Sequence, residues 1–143
     1  MKKLFVLATA VGAIGLAGCQ SSPASMSQPL EGHRFILQKV DGVPFSQTGK
    51  KTPFIEFSKD GRVIGSMCNH FFGKSQWNES HLQASELVTT RMICASTALN
   101  SAEGVLTQAL AKGVDTSFEN GVLTLKNADH TLVYKLDSAS ASK

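Results

Sequence analysis

The chain has 143 residues, of which 42% are hydrophobic and 17% charged, with a formal net charge of +3. That length suits one domain with one core, and the apolar fraction is too high for a disordered polar segment. Lys2 and Lys3 fall in a leader that processing would remove, which leaves 12 basic residues against 11 acidic and gives no support to a nucleic-acid or polybasic membrane-surface role.

Lys2 and Lys3 form a positive n-region, LFVLATAVGAIGLA an apolar h-region of 14 residues, and LAGC closes it with small residues before Cys19. The apolar run is short for a membrane span, which needs roughly 17–25 residues. The arrangement resembles a bacterial lipobox, with residues 1–18 removed and the Cys19 thiol diacylglycerated. An ordinary secretory signal with a coincidental cysteine is the alternative. Two or three acyl chains hold a protein stably to a bilayer, each buried CH₂ contributing about 0.8 kcal/mol. Gln20 stands where an inner-membrane lipoprotein would carry Asp, so the resemblance implies the outer membrane, with the domain facing the periplasm.

Residues 19–32 are expected to be the lipidated cysteine and a flexible tether, because QSSPASMSQPL (20–30) is rich in Ser and Pro with little to bury. The domain is expected over 33–136 and a frayed tail over 137–143. Frequent turn signals and short apolar runs predict an α+β fold, an antiparallel β-rich, barrel-like domain with one helix packed on it. RFILQKV (34–40) reads as a first strand, and PFIEFSKDGRVIGSM (53–67) as a hairpin turning at Asp60-Gly61. FFGKSQW and HLQASELV read as a second hairpin around Asn78-Glu79-Ser80. SFENGVLTL is a third, with Asn120-Gly121 as a type I′ turn. Leu123 and Leu125 share one face, as do Leu132, Tyr134 and Leu136, with Lys126 and Lys135 on the opposite faces. NSAEGVLTQALAKG reads as the helix, with Asn100 as N-cap, Glu103 as its capping-box partner and Gly113 just past the end. Ala102, Val105, Leu106, Ala109 and Leu110 make its apolar stripe, a core face by its spacing.

With Cys19 lipidated, two cysteines remain, and in an oxidising periplasm they allow a single intramolecular pairing, Cys68 with Cys94. Closing that loop would restrict the unfolded chain by about 3.5 kcal/mol. Zinc on Cys68, His70 and Cys94 with His81 or His33 is an alternative, but C-x-H is not a usual zinc spacing. A Cys68 nucleophile with His70 as base is another, without an identifiable orienting group. Ser66 fails the nucleophile-elbow pattern. Arg91, beside the cysteine region, reads as a structural ion pair with Glu86 or Glu56, or as an anion site. Strand alternation turns one of Phe71 and Phe72 away from the core, and with Trp77 this marks a candidate partner surface.

GSMCNHFFG and TTRMIC, taken together, resemble the META domain family and within it the HslJ-type lipoproteins. Gly65, Cys68, Asn69 and Gly73 fit the first element of the pattern, and Thr90, Arg91, Met92 and Cys94 the second. The resemblance implies a small β-rich domain with one helix in a lipoprotein or secreted setting. It also implies an association with heat-shock, envelope or antibiotic stress, novobiocin being the drug linked to the group. It implies no enzyme and no cofactor, so the motif residues carry over as structural signature positions. Asn69 would hydrogen-bond backbone in a turn, and Gly73 would adopt angles closed to other residues. The function expected is a non-catalytic, outer-membrane-anchored lipoprotein that supports stress tolerance by binding an envelope protein. A small-molecule or lipid-binding barrel is the competing class, and its mark would be an apolar pocket.

Overall fold

The computed structural model describes residues 25–46 and 51–139. The expected leader, Cys19 and residues 20–24 of the expected tether lie outside the described residues. In chain order the elements are α1 (Ser27–Leu30), β1 (Arg34–Val40), β2 (Val43–Pro44), β3 (Phe54–Phe57), β4 (Arg62–Ser66), β5 (His70–Lys74), β6 (Gln76–Asn78), β7 (His81–Gln83), β8 (Val88–Thr89), α2 (Thr97–Lys112), β9 (Val114–Glu119), β10 (Val122–Lys126) and β11 (Thr131–Leu136). Among the described residues no helix is long and apolar enough to cross a membrane.

The strands form one antiparallel sheet in the order β6-β7-β9-β10-β11-β1-β3-β4-β5-β8, with β2 added on β1. The order begins on β6 and finishes beside β5, and these are two halves of one stretch broken at Ser75, whose N–H still bonds the Gly61 carbonyl at 2.9 Å, one step beyond the Arg62–Lys74 pair. The sheet curls into a half-barrel, and α2 packs on it. Alternation decides which side is apolar: Phe35, Ile55, Val63, Leu123, Leu125, Leu132 and Tyr134 are fully buried, while Lys126 and Lys135 are exposed. Leu136 is half-buried.

The hairpins turn where the sequence provides left-handed backbone. Asn120 (φ 51°) and Gly121 (φ 78°) join β9 to β10 with the mirror-image geometry that matches strand twist. The Asp60-Gly61 turn joins β3 to β4, with Gly61 at φ 76°. The second expected hairpin is shorter than the sequence suggested: Gln76–Asn78 pairs with His81–Gln83 around Glu79 (φ 54°), while β5 pairs back onto β4.

Helix α2 starts earlier than Asn100. Ser96 is its N-cap, its hydroxyl accepting from Leu99 N–H at 3.3 Å, and Asn100 lies inside the first turn with its amide donating to the Cys94 carbonyl at 3.0 Å. Two cap-type residues compete in this stretch, and the earlier one wins because Leu99 then joins Ala102, Leu106, Ala109 and Leu110 on the buried stripe. Residues 27–30, placed in the tether by composition, form one helical turn whose Leu30 is completely buried.

This architecture has two distinguishable ends. The N-terminal entry lies at the Asp60-Gly61 end, where Gly32 N–H donates to Phe57 O at 2.7 Å and Met26 N–H to Glu79 O at 3.1 Å. The β4–β5 turn, the β1–β2 turn and the start of α2 lie toward the other end, beyond the Phe54–Ser66–His70 row. The five residues of β4 separate the two by about 17 Å.

Gly65 and Gly104 should respond oppositely to alanine in thermal denaturation. A Cβ at Gly65 would sit 2.3 Å from the Phe71 ring and 2.4 Å from the Phe54 carbonyl, whereas one at helical Gly104 meets nothing within 4 Å. Gly65→Ala is expected to cost about 1–3 kcal/mol and Gly104→Ala to gain about 1 kcal/mol. The Tyr134 hydroxyl is fully buried and finds no partner among the described residues, and burial pushes its pKa up. Tyr134→Phe should therefore be at least as stable as wild type, and a clear loss in a melt would show that the hydroxyl is satisfied in solution.

Candidate functional site

The turn between β4 and β5 is buried, which is unusual for a turn and requires every polar group in it to be satisfied. Met67 and Cys68 are fully buried and Asn69 is 6% exposed. Asn69 meets the requirement with its whole carboxamide. Its Oδ1 accepts from Met92 N–H at 2.7 Å and from the Thr90 hydroxyl at 2.9 Å. Its Nδ2 donates to Glu103 Oε1 at 2.9 Å and to Met92 O at 3.4 Å. The Asn69 backbone N–H adds a bond of 2.6 Å to the other Glu103 oxygen. A carboxylate on one side and a backbone N–H on the other fix which way the amide points.

Around this residue the signature positions assemble. Cys68 is joined to Cys94 by a disulfide with a Cα separation of 5.8 Å. Thr90 N–H donates to His70 O at 3.0 Å, and the Thr90 hydroxyl also accepts from His70 N–H at 3.1 Å. Lys51 Nζ donates to Cys68 O at 2.8 Å. Segment 90–94 is thus tied down at both ends, yet its outward side chains are apolar or cationic: Ile93 is 101% exposed, Met92 48%, and Arg91 is also exposed.

Gly65 and Gly73 are required by close approach. The Phe71 ring lies over Gly65, and the Glu86 carbonyl would be 2.6 Å from a Cβ at Gly73. Gly73 is not in the left-handed region, so the expectation of special backbone angles there is corrected. Phe71 is buried while Phe72 is 46% exposed, and Phe72 is paired across the sheet with Val88, itself 56% exposed. Trp77 packs edge-on against Phe57 with ring centroids 5.5 Å apart.

The remaining readings of the cysteine region are not brought together. A disulfide sulfur is neither a thiolate nucleophile nor a zinc thiolate. His81 bonds to Asp115 at 2.9 Å, and His33 precedes β1 at the far end from Cys68. Among the described residues no group of three or more His, Cys, Asp or Glu is placed to hold a metal. Ser66 is 8% exposed in mid-sheet. Arg91 is not a buried ion pair: Glu56 is taken by Arg34 at 3.2 Å, whose guanidinium also lies 4.1 Å from the Phe54 ring centroid.

Two features were missed by sequence reasoning. Glu103, expected to cap the helix, is instead the carboxylate that faces Asn69, a contact 34 residues apart that no local pattern signals. Asp41 and His130 meet across 89 residues, with Asp41 Oδ2 and His130 Nδ1 at 3.0 Å and Asp41 Oδ1 accepting from Thr131 N–H at 2.8 Å. The Thr131 N–H first, and the His130 ring after it, hold the Asp41 carboxyl below its usual pKa. Asp41 borders a groove of about 490 Å³ between the β1–β2 hairpin and the N-terminal half of α2. Asp41-Gly42 is itself a turn signal of the same kind as Asp60-Gly61, and could have been read.

Removing the Asn69 amide strands the Met92 N–H and takes from the Glu103 carboxylate its side-chain donor, leaving only the residue-69 backbone N–H. Asn69→Ala is expected to cost about 2–4 kcal/mol in denaturant unfolding. Asn69→Asp would oppose two carboxylates, so its deficit relative to wild type should shrink as pH falls and either one is protonated. A deficit independent of pH would show that Glu103 does not face residue 69.

A sequence model described as the META domain matches residues 28–139. Heat shock protein HslJ of Escherichia coli (strain K12) is 37% identical over 123 residues, which cover 85% of this chain and 87% of that protein. A protein structure determined by NMR is 34% identical, with a TM-score of 0.73 over 84% of this chain and all of that one. A second NMR structure, of a protein from Burkholderia xenovorans, is 19% identical with a TM-score of 0.62 over 92% of this chain and 99% of its own, a likeness of fold. The family model spans the β4–β5 turn, the segment bound to it and the half-barrel that holds them, and the chain belongs to the META domain family.

Proposed function

We propose that the protein is an outer-membrane-anchored lipoprotein that catalyses no reaction and supports tolerance of heat, envelope or antibiotic stress, novobiocin included, by binding an envelope protein. Similarity to a heat shock protein supports the stress role, and the sequence Leu16-Ala17-Gly18-Cys19 supports the anchor. The observation that carries the binding surface is the exposure of Ile93 and Met92 on a backbone fixed by Asn69 and the disulfide. Large apolar side chains held out on a rigid support are pre-organised for contact, because little conformational entropy remains to be lost.

Charge narrows the partner. Arg91, Lys51 and His70 are exposed around the loop, while the nearby Glu103 carboxylate is occupied by Asn69. The matching surface is apolar with acidic groups at its rim. Five residues, 20–24, separate Cys19 from the first described residue, a reach of about 20 Å at full extension. With the N-terminal entry turned toward the membrane, the 91–93 loop faces the periplasm. A second reading, a small-molecule site, is favoured by the apolar groove beside Asp41.

The test is complementation of stress sensitivity in cells lacking the protein. A Met92→Ser/Ile93→Ser variant should melt within about 0.5 kcal/mol of wild type, since the changes are on the surface. It should stay membrane-attached and fail to restore heat or novobiocin tolerance. Full restoration would remove the loop from the function. Cys19→Ala should fold normally and leave the membrane fraction, and its retention there would overturn the anchor.

A further inference from the structure

We infer that the groove between the β1–β2 hairpin and α2 is a binding site for a small amphipathic cation, a hydrocarbon or aromatic body carrying one protonated amine. The groove, about 490 Å³, is within the range of small-ligand sites. Its walls are apolar: Val40, Val43 and Phe45 on one side, Ala98, Ala102 and Val105 on the other. Val43, paired with Val40 across the two-residue turn, is 67% exposed and borders this space.

Asp41 selects the charge. It is the one charged side chain among the described lining residues. Its carboxylate is kept ionised and fixed in direction, with Thr131 N–H on one oxygen and His130 on the other, while His130 Nε2 is in turn 3.0 Å from Gln108 Oε1. A carboxylate offers about four acceptor positions. Two are used, and the side chain is 43% exposed, so acceptor capacity remains at the groove's rim. The backbone at Asp41 (φ 50°) and Gly42 (φ 80°) is left-handed and places the side chain at the hairpin's corner, where the Thr131 and His130 bonds hold it. An ammonium there gains a charge-assisted hydrogen bond with its body against Val40 and Val105. An anionic head in the same place meets a like charge, and a neutral head gains only an ordinary hydrogen bond. The Ser46 and Ser101 hydroxyls border the same space and can accept the remaining ammonium protons. The site is separate from the 91–93 loop and stands or falls independently of it.

Three probes with one body separate these cases: cyclohexylmethylamine, cyclohexylmethanol and cyclohexanecarboxylate, titrated at pH 8 into the full chain in nanodiscs of zwitterionic lipid. Methyl resonances of Val40, Val43 and Val105 report occupancy. The amine is expected to shift all three and to bind about tenfold more tightly than the alcohol, the size of one charge-assisted hydrogen bond over a neutral one. The carboxylate should not shift them. Asp41→Asn should bring the amine down to the alcohol's affinity with the alcohol unchanged. Ala98→Trp, a change at an exposed position that leaves the Asp41 turn untouched, should fill the groove and abolish amine binding. Binding of the carboxylate as tightly as the amine would overturn the inference. So would an amine preference that survives Asp41→Asn, absence of shifts at the three valines, or wild-type amine binding by Ala98→Trp.

Discussion

The Asn69 carboxamide sits where three parts of the chain with no shared secondary structure must meet: the β4–β5 turn, the segment leading from β8 to α2, and α2 itself. A buried turn has backbone groups that cannot reach water, and an irregular segment crossing it has more of them. One side chain with two donors and two acceptors resolves both, bonding Met92 on both its N–H and its carbonyl and reaching Glu103 on the helix. Aspartate lacks the donors, glutamine sets the amide one carbon farther out, and alanine offers nothing. The disulfide one residue away constrains the same junction covalently. By the chain-entropy argument it acts mainly on the unfolded state, whereas the Asn69 bonds act on the folded one.

What the junction holds in place differs from what it is made of. Its interior is polar and satisfied, and its exterior presents Met92 and Ile93. The N-terminal entry lies at the opposite end of the half-barrel, so one end serves to receive the chain and the other to display side chains. The groove beside Asp41 opens toward the display end as well, between a hairpin corner and the start of the helix. The half-barrel in between is an apolar spacer whose alternation is broken by a register shift between Leu37 and Lys39 in β1, and the Tyr134 hydroxyl lies buried in its core.

Local periodicity made much of the fold legible. The alternation of Leu123, Leu125, Leu132 and Tyr134, the Asn120-Gly121 turn and the α2 stripe are set by neighbours within a few residues, and sequence shows such neighbours directly. Boundaries were harder: Ser96 and Asn100 are both competent caps, and only the burial of Leu99 decides between them. Leu30 was hidden by its Ser- and Pro-rich surroundings, because composition averages away one core residue. At the site, Cys68, Asn69, Thr90, Met92 and Cys94 were legible as a set. Their partner Glu103 and the Asp41–His130 pair were not, since each contact is made by the sheet's curvature bringing distant segments together. Gly73 was found for the wrong reason. A glycine required by a crossing segment looks the same in sequence as one required by a left-handed turn.

The most direct measurement of this junction is amide hydrogen exchange at Met92 in the oxidised protein. Met92 is nearly half exposed and lies in an irregular segment, so without the Asn69 Oδ1 bond its N–H would exchange at the rate of an open loop. Protection comparable to that of β4 and β5 amides is the expected result, with Ile93 next to it exchanging freely. Fast exchange at Met92, alongside protected strands on either side, would mean that the loop is not held by Asn69 and that Ile93 is not rigidly displayed.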